Sequence, residues 1–158
     1  MNSLLPHHKK IVFNFYEVLK HIKFINCGGC GVFAQVFHEI LINLGYKPKI
    51  ILHIKDHTTA KNYKEKYSQL KKKQGDIITS DDFYRADINW FHISIKIGRT
   101  FYDSNGVYDP IENPKYVIIS EVTLETMLKN PADWHPYFNR RHGVPQIKKA
   151  LSEAFLFI

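Results

Sequence analysis

Cysteine, histidine and aspartate can share one reaction when a fold brings them together, and Cys30, His92 and Asp103 are spaced in this chain so that a fold could do so. The stretch INCGGCGVFAQVFHEIL (25–41) sets Cys27 and Cys30 on either side of a glycine pair, and Cys30 falls where a long apolar helix should begin. A thiol at a helix start meets the positive end of the helix dipole and unsatisfied backbone N–H groups, both of which stabilise negative charge on sulfur. The same N–H groups can hold the oxyanion that forms when a thiolate attacks a carbonyl. Gly28, Gly29 and Gly31 leave room for a substrate to approach.

His92 lies in WFHISIKI (90–97), which alternates as a strand: Phe91, Ile93, Ile95 and Ile97 on one side, Trp90, His92, Ser94 and Lys96 on the other. Gly98-Arg99 reads as a two-residue turn with glycine first, and Thr100–Ser104 as the returning strand. With that loop, Ser94 faces Asp103 and His92 faces Asn105, so His92 and Asp103 are diagonal neighbours roughly 7 Å apart by backbone spacing. A carboxylate there can accept the imidazole N–H, fix the tautomer and support the imidazolium. A one-residue slip would send Asp103 to the wrong side. The His92 side lacks the aliphatic run, so it is expected to border a cleft. Two other uses of these residues stay open: Asp103 could serve the Asn105-Gly106 turn, and Asn105 could orient His92.

The positioning elements follow from periodicity. Helices are expected at 9–24, with Ile11, Phe15, Val18, Leu19 and Ile22 near one face, and at 30–44, apolar around more than half its circumference and stopped by Gly45. A strand is expected at 49–54, a Lys-rich helix at about 59–73, strands at 90–97, 100–104, from 107 and at 116–120, and helices at 123–129 and 144–155. This pattern predicts a single α+β domain over 1–158, a buried helix carrying the cysteine against an antiparallel sheet.

With GGCGVFA at the start of a buried helix, then His92 in FHISIKI, then Asp103 in TFYDSNG, the span 26–106 resembles the papain-like and transglutaminase-like cysteine enzymes, closest to small phage or bacterial members. The resemblance implies one central helix against an antiparallel sheet and hydrolysis or acyl transfer at an amide. It implies Cys30 as nucleophile, His92 as base and Asp103 as its orienter, acting on a protein or peptide substrate without metal or organic cofactor. A side-chain amide upstream of the nucleophile often completes the oxyanion hole in this family. Asn26 is the nearest here, only four residues ahead of Cys30. Gly29 is grouped with it, and Trp90 is the candidate cleft wall.

Two rival classes compete. A CxxC opening a helix suggests a thioredoxin-like redox pair, but such a pair wants a strand feeding directly into it, and a helix is expected there. A zinc site would need a second pair of ligands, and no second CxxC exists. The other rival is an inactive binding module on the same fold. Composition bounds all three readings: 158 residues with 44% hydrophobic content suit one globular core, and no apolar run reaches membrane-span length. The start MNSLLPHHKK has no leader pattern, and two thiols fit a reducing compartment, so a cytoplasmic protein is expected, in the host cytoplasm if phage-encoded. The net charge of +7 concentrates in Lys61–Lys73. That helix reads as a solvated face or as a surface for an acidic partner. Nucleic acid is the weaker alternative, because no zinc finger, RNP signature or phosphate loop accompanies the charge.

Overall fold

The computed structural model describes residues 4–22, 25, 29–54, 57–75, 82, 85–86, 92–108, 117–128 and 140–156. Helix α1 (Pro6–Leu19) buries Ile11, Val12, Phe15 and Leu19. It starts three residues earlier than periodicity suggests because Pro6 at its first turn is preset for helical φ and lacks an N–H that would go unsatisfied anyway. Its entry is fixed by Tyr46, whose hydroxyl accepts the Leu5 N–H at 2.9 Å and meets His8 Nδ1 at 2.7 Å.

Helix α2 (Cys30–Asn43) buries Gly31, Val32, Phe33, Ala34, Val36, Phe37 and Leu41, and so is enclosed on most sides. Its end is a Schellman motif: Gly45, at φ 81°, sends its N–H to Ile42, and the Tyr46 N–H returns to Leu41, both at 2.9 Å.

Five antiparallel strands form one sheet: β1 (Lys49–Ile54), β2 (His92–Ile97), β3 (Thr100–Asp103), β4 (Gly106–Tyr108) and β5 (Val117–Val122), in the order β4-β3-β2-β1-β5. The β2–β3 hairpin takes the expected register, with Ile95 opposite Tyr102 and Ile97 opposite Thr100 around the Gly98-Arg99 loop. The next turn does not centre on Asn105-Gly106. Asp103 pairs with Gly106, so Ser104 and Asn105 form the loop and Gly106, at φ 129°, already belongs to β4. The Asn105 N–H bonds the Asp103 carboxylate at 2.8 Å, and this side-chain cap moves the turn one residue earlier. Helices α3 (His57–Gln74), α4 (Leu124–Leu128) and α5 (Arg140–Leu156) also occur among the described residues of this α+β architecture. Helix α5 begins four residues before the expected 144 and holds Pro145 inside it, where proline removes one i→i−4 hydrogen bond.

Helix α2 lies against β2, and α5 against α1 and α2. Ile50, Leu52, Ile93, Ile95, Ile97 and Tyr102 join the α1 and α2 side chains in one core. The other side of the sheet is not the open cleft wall that alternation predicts: Ile51, His53, Ser94 and Phe101 are buried as well. Phe33 stacks on Phe15, Tyr16 and Phe37 at centroid distances of 6.0, 6.1 and 5.1 Å. Replacing a fully buried phenylalanine by alanine costs about 3–5 kcal/mol. Phe33→Ala should lose that much in urea unfolding, and a loss below about 1 kcal/mol would mean that this stack does not organise the core.

Candidate active site

Each site residue occupies the end of an element. Cys30 is the first residue of α2, preceded by Gly29 as N-cap, whose carbonyl accepts the Phe33 N–H at 2.9 Å. Among the described residues no side chain caps this helix start. The N–H groups of Cys30, Gly31 and Val32 precede the first intrahelical bond and can serve an anion at the sulfur. Cys30 is half-buried and not in a disulfide. His92 is the first residue of β2 and Asp103 the last of β3, so the hairpin delivers both side chains to one end of the sheet.

His92 Nε2 donates to Asp103 Oδ2 at 2.9 Å, with both side chains nearly buried. The other carboxylate oxygen, Oδ1, accepts the Asn105 N–H at 2.8 Å. Both uses that the sequence left open for Asp103 are therefore realised at once, one by each oxygen. Asn105 engages the carboxylate through its backbone. Cys30 also lies close enough to His92 to act on its charge, so the imidazole has the thiol as well as the carboxylate for a neighbour. Burial alone would lower the His92 pKa. The hydrogen bond to Asp103 and the nearby Cys30 thiol, together with the negative charge each can carry, outweigh it and raise the value to about 9. With Nε2 engaged by Asp103, Nδ1 is the ring nitrogen left to exchange a proton with sulfur.

No local pattern singles out His53, which the fold brings to this cluster. Strand β1 pairs with β2 so that His53 lies opposite His92, their ring centroids 5.7 Å apart, and His53 Nε2 shares a 2.7 Å hydrogen bond with Ser94 Oγ. Burial, then the neighbouring His92 charge, lower the His53 pKa to about 3, against a smaller opposing pull from Asp103. His53 is thus a neutral imidazole beside one held as a cation. Strand periodicity could mark His53 as facing one side of β1, but about forty residues separate the two strands and no short loop sets their pairing.

Tyr16 ties the two halves together. Its ring stacks on Phe33, one turn along α2 from Cys30, and its hydroxyl donates to the Gly106 carbonyl at 3.4 Å. Burial, then the Asp103 charge and Tyr102, raise its pKa well above the usual tyrosine value. Asn26, Trp90 and Cys27 lie outside the described residues. Gly29 is placed as the cap of the Cys30 helix, with ordinary helical backbone angles of −82° and −1°. No group of three or more metal-ligating side chains suited to an ion occurs among the described residues, and no described helix is long and apolar enough to cross a membrane. Family models, curated proteins and solved structures were each compared with the chain, and none matches it.

The two histidines should give stability opposite pH dependences. Unfolded His53 protonates below about 6.5, whereas the folded residue waits until about 3. Stability is therefore lost as pH falls through that window, by about 2 kcal/mol between pH 6.5 and 5. His92, raised to about 9, stabilises fully below 6.5 and loses that contribution as pH rises through 9. NMR titration should find His92 near 9. Urea midpoints should fall from pH 6.5 to 5 in the wild type and much less in His53→Gln. An equal fall in both proteins would refute the neutral buried His53.

Proposed function

We propose that this protein is a papain-like cysteine hydrolase or acyltransferase acting on an amide of a protein or peptide. The observation that carries this reading is the position of His92, bonded to Asp103 and within electrostatic reach of Cys30 at the α2 start. In the proposed cycle the Cys30 thiolate attacks the amide carbonyl carbon. Backbone N–H groups at the α2 start hold the resulting oxyanion. The His92 imidazolium gives its proton to the departing amine as the C–N bond breaks, leaving a thioester on Cys30. Water or a second amine then attacks the thioester, His92 takes the incoming proton, and the Cys30 sulfur leaves. Asp103 holds the ring in the tautomer that allows both transfers. No step calls for a metal or organic cofactor.

The antiparallel sheet and the helix ahead of Cys30 also favour this reading over a redox one, since a thioredoxin-like CxxC follows a strand within a parallel βαβ unit. Hydrolysis needs only the sulfur facing His92, whereas a redox pair needs both thiols.

Iodoacetamide should alkylate Cys30, and His92→Ala should slow this at least about tenfold, Asp103→Asn less. With a panel of peptidyl and glutaminyl amides, intact-protein mass spectrometry should detect an acyl adduct on Cys30. Turnover should vanish in Cys30→Ala, fall at least about a hundredfold in His92→Ala, and largely survive Cys27→Ser. No adduct from any amide, together with equal alkylation of wild type and His92→Ala, would leave an inactive binding protein. Equal loss in both cysteine variants with dithiol–disulfide cycling would indicate redox chemistry.

A further inference from the structure

Helix α3 is charged against its own stability. Its eighteen residues hold six lysines and one glutamate, with no acidic residue in the first turn. The last-turn lysines 71, 72 and 73 suit the helix dipole, while Lys64 and Lys66 add like charge to the middle of the helix. Such concentration of like charge costs helix stability and is relieved when an anionic surface covers it.

The helix also has a shaped site. Lys66, Gln69, Leu70, Lys73 and Gln74 follow the spacing of one helical face and, with Arg85, line a groove of about 300 Å³. Its far wall is made by Asp82, Arg85 and Ala86, with the Ala86 N–H bonded to the Asp82 carbonyl at 3.0 Å and Gln74 Nε2 donating to Asp82 Oδ1 at 3.3 Å. Lys66 and Lys73 are about 10 Å apart along the axis, the reach of three or four extended residues. Leu70 and Ala86 supply an apolar floor between the cations. The carboxylate of Asp82 stands inside the same groove. A continuous phosphodiester would be repelled there, whereas a peptide can put a neutral side chain beside it.

We propose that this groove docks an acidic, extended segment of a partner protein, with carboxylates on Lys66, Lys73 and Arg85 and an apolar side chain on Leu70 and Ala86. Helix α3 packs along β5, at the end of the sheet two strands from β2, so docking leaves Cys30 accessible. The proposal does not depend on any activity of that site.

Fluorescence anisotropy with a labelled Glu-Glu-Leu-Glu-Glu peptide tests it, with Gln-Gln-Leu-Gln-Gln and a single-stranded oligonucleotide of equal charge as comparison probes. The glutamate peptide should bind at 50 mM NaCl and weaken at least tenfold at 300 mM. Lys66→Glu/Lys73→Glu should weaken it at least tenfold, while Lys10→Glu/Lys47→Glu, an equal charge change on other exposed positions, should alter it less than threefold. Circular dichroism confirms that both double variants fold. Equal weakening in the two double variants, or equal binding of the glutamine peptide, overturns the proposal. So does tighter, Lys66- and Lys73-dependent binding of the oligonucleotide, which would make the groove a nucleic-acid surface.

Discussion

The carboxylate of Asp103 has one oxygen on the Asn105 N–H and the other on His92 Nε2, and the rest of the site depends on that division. The first bond shortens the β3–β4 turn and places Gly106 opposite Asp103. The second orients the imidazole, leaving its other nitrogen for the Cys30 sulfur. Both bonds require the β2–β3 hairpin to hold its register, because a slip of one residue would turn Asp103 to the other face. The two-residue loop at Gly98-Arg99 supplies that register locally, with Gly98 at φ 58°.

Helix α2 supplies the other fixed point. A helix buried on most sides cannot rotate without exposing Phe33 or Phe37, so the position of Cys30 is set by packing along the whole helix. Tyr16 links that packing to the acidic turn through its Phe33 stack and its bond to Gly106. The electrostatics follow from the same burial. His53 and His92 face each other across two strands and are both pushed down by desolvation, yet only His92 has a bonded carboxylate and a neighbouring thiol to offset it. One imidazole therefore stays neutral and the other holds its proton, from equal starting chemistry.

Charge is segregated on the rest of the molecule. Lys20, Lys49 and Lys148 pair with nearby glutamates, and α3 holds six lysines to one glutamate beside β5. Exposed paired charges contribute little to stability. A concentrated cationic face instead shapes the field around the molecule and selects what approaches it.

Local rules in the sequence determined much of this. The apolar circumference of 30–44 placed α2 and put Cys30 at its start, alternation placed β2, and a two-residue glycine loop gave the His92–Asp103 pairing. Those signals are legible because each depends on neighbours within a few residues. The tertiary structure decided what depends on distant chain segments. It set β1 against β2, bringing His53 beside His92, and buried the face that alternation alone would leave open. It carried the Cys30 helix end to the His92 strand end across sixty residues of chain. It also let one carboxylate serve both turn and imidazole, a choice invisible in sequence because either use satisfies the local rules and only three-dimensional proximity permits the two together.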